Sequence, residues 1–152
     1  MSGIRGRHRL LSANLQTVQE VSPRRNSIIN VITWVKKKMI DFQSRETDHG
    51  TLVIQASGKL DSETNQYFFD CVKDEIERGK SKIVINLEGL GYISSLGLAA
   101  LVRASSKVAK VGGEIYLACI ESQILDIFRV VNFDKLFNFY HSEADAIAAI
   151  ES

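Results

Sequence analysis

The sequence contains few of the residues that build metal sites and disulfide frameworks. Its 152 residues include only 2 cysteines, 3 histidines and 1 proline. Cys71 and Cys119 lie far apart and lack the spacing of zinc ligands, so neither a disulfide scaffold nor a metal site is expected. The composition therefore predicts a protein of a reducing, cytoplasmic compartment that carries no metal or other cofactor.

Long hydrophobic runs and an excess of basic charge are also missing. The longest apolar run, Ile28 to Val35, is interrupted by Asn30 and Thr33. It is far shorter than the roughly 20 residues of a membrane-spanning helix. The formal net charge is only +1, which does not indicate a nucleic-acid-binding domain. We therefore expect no integral membrane segment and no nucleic-acid partner.

The charge is divided along the chain. Residues 1–38 carry a net charge of +7, whereas residues 39–152 carry −6. Such asymmetry is typical of a tail attached to a folded domain. Three interpretations of residues 1–38 stay open: a start site assigned too early, with Met39 as the true first residue; a disordered tail; and a basic helix that binds an anionic membrane or a nucleic acid. Peptides from residues 10–35 in the native protein would exclude the first.

Strand and helix patterns alternate regularly from Met39 onward. Two strands joined by the turn residues Asp48-His49-Gly50 predict a hairpin. Helical and β-branched segments then follow in turn, separated by Gly79, by Gly112-Gly113 and by serines that can cap helices. The predicted order is ββαβαβαβα, an α/β domain with a mixed, mainly parallel sheet and about four helices.

The first helix illustrates how its two faces are predicted. We expect Asp61 or Ser62 to cap its start. Its apolar and solvated faces are predicted from three- and four-residue spacing. The apolar stripe comprises Phe69, Val72 and Ile76, and the solvated face Asp74, Glu75 and Glu77.

No set of catalytic residues is visible. Gly89-Leu-Gly91 lacks both the dinucleotide-binding and the phosphate-binding glycine patterns, so it is predicted to shape a turn. Ser95 has Gly97 two positions after it but Ile93 two positions before it, unlike the nucleophile of a serine hydrolase. His141 has no acidic partner that the sequence can assign. We therefore expect a protein that is not an enzyme.

The remaining polar candidates are Ser94 and Ser95, at a strand-to-helix junction. A serine in this position typically accepts hydrogen bonds from the free amides of the helix. The residues alone predict that one of the two is this N-cap, without deciding which.

Three segments resemble the STAS family, in particular its anti-sigma factor antagonists. Tyr92-Ile-Ser-Ser-Leu-Gly-Leu98, following the strand Ile83–Leu87, is similar to the family signature. Gly58-Lys-Leu-Asp61 resembles the motif at the start of the family's first helix, and Gly112–Leu117 resembles a later helix-to-strand segment. The resemblance covers residues 39–152, which we interpret as a STAS-like domain.

This resemblance implies a regulatory protein that is switched by phosphorylation. In the family, the phosphorylated residue occupies the place of Ser95. Many members have aspartate where this sequence has Ser94, which makes Ser94 the alternative phosphorylation site. The implied partners are an anti-sigma factor with an ATP-binding kinase fold, which donates the phosphate, and a serine/threonine phosphatase, which removes it.

The resemblance also implies a surface for partner binding. It comprises the turn before the first helix and the start of the second: Asp61, Ser62, Glu63, Ser94, Ser95, Leu96 and Gly97. The alternative is a STAS module that acts as a non-switching scaffold or as a transport-associated or membrane-associated interaction domain. In that case Ser95 would serve only as a helix cap.

Overall fold

The computed structural model describes residues 39–152; the expectations for residues 1–38 lie outside the described residues. The strands are β1 (Ile40–Glu46), β2 (Leu52–Leu60), β3 (Lys82–Ile93), β4 (Glu114–Ala118) and β5 (Asn138–Tyr140). The helices are α1 (Asn65–Glu77), α2 (Ser95–Ala109), α3 (Ser122–Val130) and α4 (Glu143–Glu151), with a short 3-10 turn at Phe133–Lys135. The predicted order ββαβαβαβα is confirmed.

The five strands form one mixed sheet in the order β1-β2-β3-β4-β5. The first pair is antiparallel, which confirms the predicted hairpin, and the other neighbours are parallel. Leu60 and Ile93 pair in register at the ends of β2 and β3. The segments that lead into α1 and α2 therefore leave the sheet side by side, at the same edge.

The two faces of the sheet are covered unequally. Helices α1, α2 and α3 close one face over a large apolar cluster that includes the fully buried Phe68, Leu101 and Phe128. Helix α4 packs on the other face over a small cluster. The buried members of this small cluster are Val53, Val84, Ala118, Ala146 and Ile150.

Helix α1 corrects three of the expectations. It begins at Asn65, after a turn that contains Asp61 and Ser62. Phe68 is fully buried, whereas Phe69 only packs at the margin of the core. Glu75 is 2% exposed instead of solvated, with its Oε2 4.0 Å from an Arg78 nitrogen. Glu75 lies on the buried stripe of the helix that starts at Phe68. The charged residues next to it in the sequence made it look like part of the solvated face.

Strand β3 is longer than predicted, because Gly89 and Gly91 lie within it and not in a turn. Its pairing with β2 shifts register between Gln55 and Ser57 and again between Gly58 and Lys59. At the first shift the strands approach closely: a Cβ on Gly89 would lie 2.5 Å from the Ser57 Cβ. Gly89 is therefore required by a bulged strand pair.

Polar contacts attach both ends of α4 to the hairpin and to β3. Glu143 accepts hydrogen bonds from Arg45 and from the Asn86 amide. Glu151 accepts from the hydroxyls of Thr47 and Thr51, at 2.6 and 2.7 Å. These contacts supplement the small apolar cluster beneath the helix.

Candidate functional site

Ser94 is the N-cap of α2. Its backbone is extended, with φ −103° and ψ 175°, and its Oγ accepts a hydrogen bond from the Gly97 amide at 3.3 Å. Its own amide donates to the Leu60 carbonyl at 3.0 Å. The half-buried Ser94 thus ties the start of α2 to the end of β2, and it is the serine that fulfils the predicted capping role.

Ser95 is the first residue of α2 and is exposed to solvent. Its hydroxyl makes no hydrogen bond to any other residue in the range 39–152. The first amides of a helix lack intrahelical partners and carry the positive end of the helix dipole. The Ser95 hydroxyl is therefore accessible and lies where a negative group would be stabilised.

The segment between β2 and α1 forms a tight polar turn. Asp61 Oδ1 accepts from the amides of Glu63 and Thr64, at 3.0 and 3.2 Å. Thr64 is buried, and its hydroxyl donates to the Lys59 carbonyl at 2.8 Å while accepting from the Asp61 amide. Asp61 therefore organises the turn rather than capping the helix itself, and Ser62 and Glu63 stand exposed at its tip.

Gly97 brings this turn and the start of α2 together. It is buried, and a Cβ at this position would lie 2.2 Å from the Leu60 carbonyl oxygen. Only a residue without a side chain lets α2 approach the end of β2 this closely. The predicted site residues Asp61, Ser62 and Glu63 therefore adjoin Ser94 through the shared neighbour Leu60.

Two exposed apolar side chains flank the serines. Leu96 is 50% exposed and Tyr92 is 48% exposed. Tyr92 was not among the predicted site residues. The sequence signal for it is weak, because it consists only of an aromatic residue close to the serine pair. The register shift of β3 just before Tyr92 is known only from the structure.

A solvent-exposed contact links α1 and α2. The Arg103 guanidinium lies 4.3 Å from the centre of the Phe69 ring, a cation–π geometry. Its Nη2 also lies 3.4 Å from Asn65 Oδ1, the first residue of α1. The two helix starts are thus positioned relative to each other by their sheet attachments and by this bridge.

Residues 39–152 contain no cluster of three or more His, Cys, Asp or Glu side chains arranged to hold a metal ion. None of the helices described has the length and apolar character needed to cross a bilayer.

This α/β architecture places a polar turn and a capped helix side by side at one edge of the sheet. The STAS domain family model matches residues 43–146. The chain belongs to the STAS domain family.

Relatives in this family share only part of the sequence. The chain is 23% identical over 107 residues to the anti-sigma F factor antagonist of Paenibacillus polymyxa, covering 70% of this chain and 92% of that protein.

Solved structures show the same fold in proteins of more than one kind. An anti-sigma factor antagonist from Mycobacterium paratuberculosis superposes with a TM-score of 0.68 at 20% identity, covering 74% of this chain and 95% of that one. The Bacillus cell fate determinant SpoIIAA in its phosphorylated form gives 0.58 at 21% identity, with 72% and 98% covered. The murine anion transporter Slc26a9 gives 0.63 at 18% identity, with 84% of this chain but only 24% of the transporter covered.

Proposed function

We propose that this protein is an anti-sigma factor antagonist whose binding is switched off by phosphorylation of Ser95. The observation that carries the proposal is the exposed Ser95 hydroxyl at the start of α2, next to a neighbour already engaged as the cap. A relative bearing the name anti-sigma F factor antagonist and a phosphorylated SpoIIAA structure support it. The partner is an anti-sigma factor with an ATP-binding kinase fold.

The docking surface consists of the start of α2 and the adjoining Asp61 turn. Tyr92 and Leu96 supply apolar area on either side of the serines. Ser62 and Glu63 supply polar groups at the rim. An apolar centre with a polar edge is the usual anatomy of a reversible protein interface.

The switch is a phosphoryl transfer in which this chain is the substrate. The Ser95 oxygen forms a bond to the γ-phosphorus of ATP, the bond from that phosphorus to the bridging oxygen breaks, and ADP leaves while the hydroxyl proton is released. A serine/threonine phosphatase reverses the modification by adding water across the phosphoester, which yields inorganic phosphate and the original hydroxyl.

Phosphate on Ser95 has opposite consequences for the fold and for docking. The free amides and dipole of α2 stabilise a negative group at this position by about 1 kcal/mol. The same group adds about −1.5 to −2 charges. Burying it in an interface without a matching cation costs several kcal/mol. The domain therefore stays folded while its affinity falls by orders of magnitude.

Ser94 is the poorer acceptor of the two. Its hydroxyl is half-buried and accepts the Gly97 amide. A phosphate there would have to displace the cap, on a residue whose amide is already held by the Leu60 carbonyl. The proposal therefore assigns modification to Ser95 and capping to Ser94.

Calorimetric titration of variants against the cognate kinase-fold anti-sigma factor tests the switch. Ser95→Ala should keep the affinity of the unmodified protein, and Ser95→Asp should weaken it at least ~10-fold, the equivalent of about 1.4 kcal/mol. Ser122→Asp is the matched control, because Ser122 is also the exposed first residue of a helix, α3. Equal affinities of Ser95→Ala and Ser95→Asp would contradict the proposal.

A non-switching interaction module is the second candidate, favoured by the structural likeness to the transporter Slc26a9. In such a module Ser95 only begins the helix. Mapping of phosphorylated residues after incubation with ATP and the anti-sigma factor separates the two functions. Phosphate at Ser95 supports the switch, whereas binding without modification supports the module.

A further inference from the structure

Helix α4 is short and buries little apolar surface of its own. Of its nine residues, Glu143–Glu151, only Ala146 and Ile150 are buried. Isolated helices of this length are unstable in water, so α4 depends on the groups that hold it to the sheet. Within residues 39–152 its contacts are chiefly with β3, β4 and β5, whereas α1 and α2 also pack on each other.

The first residue of α4 is held by side chains from three strands. The Glu143 carboxylate accepts hydrogen bonds from Arg45 on β1 and from the Asn86 amide on β3. The Gln55 side chain on β2 contributes a third hydrogen bond. The start of the helix is therefore attached to the sheet through a single carboxylate.

Two further titratable groups lie near this carboxylate. The backbone amide of Glu143 hydrogen-bonds the thiol of Cys119, which directly follows β4. Burial raises the pKa of that thiol, and the nearby charges of Glu88 and Glu143 raise it further. The thiol is therefore neutral throughout the acid range, and Glu88 is an acid that offers Glu143 no attraction.

The last residue of α4 is held by a second carboxylate. Glu151 accepts hydrogen bonds from the hydroxyls of Thr47 and Thr51, which flank the turn of the hairpin. The Nδ1 atom of His49, in that turn, lies 3.7 Å from Glu151 Oε1. Lys82, at the start of β3, also attracts the charge of Glu151. Both ends of the helix thus depend on an ionised carboxylate.

We propose that α4 is an acid-sensitive cover, which opens as a unit while the five strands and the helices of the other face stay folded. Protonation of Glu143 and Glu151 removes the charged acceptors at both ends of the helix. Ala146 and Ile150 are then its main buried attachment. Elements with few buried apolar contacts commonly open before the whole domain unfolds.

Opening of α4 changes one face of the sheet only. It exposes the small apolar side chains of Val53, Val84 and Ala118, on which the helix packs. Helix α2, which carries Ser95, packs in the large cluster on the opposite face. The inference is therefore independent of the function proposed for Ser95.

Hydrogen exchange of the full chain, followed by peptide mass spectrometry at pH 7 and pH 3.5, tests the opening. After correction for the intrinsic pH dependence of exchange, protection of amides 146–151 should fall about ten-fold or more at the lower pH. It should stay at least about 100-fold below that of amides 83–87 in β3. Low concentrations of urea should also affect α4 less than β3, because its opening exposes less surface. Equal protection and equal urea dependence in both segments would overturn the proposal.

A double variant, Glu143→Gln with Glu151→Gln, tests the role of the carboxylates. At pH 7 its α4 amides should be about ten-fold less protected than those of the parent. Between pH 7 and pH 3.5 their protection should change less than about three-fold, because no charge is left to lose. Retained protection in β3 shows that the variant is folded. The control Glu121→Gln, at an exposed position before α3, should behave as the parent. An acid loss in the double variant as large as in the parent would overturn the proposal.

Discussion

The two faces of the sheet are closed by different kinds of interaction. On one face, three helices bury a continuous apolar cluster that runs from Ile40 to Phe137. On the other, α4 packs Ala146 and Ile150 on three small or branched side chains of the sheet and depends on Glu143 and Glu151 to hold its ends. The first face derives its stability from burial of apolar area, whereas the second combines a small burial with charge-assisted hydrogen bonds.

The difference matters for the proposed switch, because α2 belongs to the heavily packed face. Its start is held by Ser94, Gly97 and Leu60, and its inner side by Leu101 and Ala104. A modification at the exposed Ser95 therefore acts on a rigid support. Because the interior beneath α2 is closely packed, the backbone at the start of the helix should keep the same conformation with and without phosphate on Ser95.

The largest expected effect is on packing. Leu101→Ala should lower the free energy of unfolding by about 3–5 kcal/mol, because it leaves a cavity in the large cluster. Ile150→Ala should cost about 2–3 kcal/mol, since the smaller cluster can relax around the change. Urea denaturation of both variants measures the difference. A larger loss of unfolding free energy for Ile150→Ala than for Leu101→Ala would contradict the claim that the large cluster contributes more to stability.

The next largest effect is the pH dependence of stability, which should come from the carboxylates that hold α4 on its face of the sheet. Burial raises the pKa of Glu143, but hydrogen bonds from Asn86 and Arg45 outweigh it and leave that pKa below the ordinary value of 4.5. Hydrogen bonds from Thr47 and Thr51 lower the pKa of Glu151. A lowered folded-state pKa contributes stability above the unfolded value, and that contribution is lost as the pH falls through the folded value.

Glu143→Gln and Glu151→Gln should each cost about 1–2 kcal/mol of unfolding free energy at neutral pH. Both variants should also lose less stability than the parent between about pH 5 and the acid end of the scale. Denaturation at a series of pH values measures this, with the exposed Glu121→Gln as the control. Acid-limb slopes identical to that of the parent would refute the role of the two carboxylates.

The smallest effects should distinguish the adjacent serines. Ser94→Ala should lower the free energy of unfolding by about 1 kcal/mol, because it removes the cap accepted from Gly97. Ser95→Ala should change it by less than about 0.5 kcal/mol, as is usual for an exposed residue. Thermal unfolding of the pair measures both values. A greater loss of unfolding free energy for Ser95→Ala than for Ser94→Ala would contradict the assignment of the cap to Ser94.

The order of the elements was predictable from the sequence because each strand and helix has a strong pattern of its own. Leu98, Leu101 and Val108 mark one helical face, and Ile83–Leu87 mark a buried strand. The continuation of β3 through Gly89 was not predictable, since glycine indicates a turn unless the close approach of Ser57 is known. Likewise, the burial of Glu75 was not predictable, because a charged side chain normally indicates an exposed position.

The candidate site was predictable in part. The strand-to-helix junction identified Ser94 and Ser95 as a pair, but only backbone geometry shows that Ser94 accepts the Gly97 amide. The contact of Gly97 with Leu60 depends on how β2 and β3 end in register, which no local pattern encodes. Tertiary pairing therefore separates the structural serine from the accessible one.

Binding of the cognate anti-sigma factor to protein carrying phosphoserine installed at position 95 tests the central claim most directly. The account predicts that affinity falls about 100-fold or more relative to the unmodified chain. Phosphoserine installed at position 122, also an exposed helix start, should change affinity less than about three-fold. Unchanged affinity with phosphate at 95, or the same loss at both positions, would contradict the account.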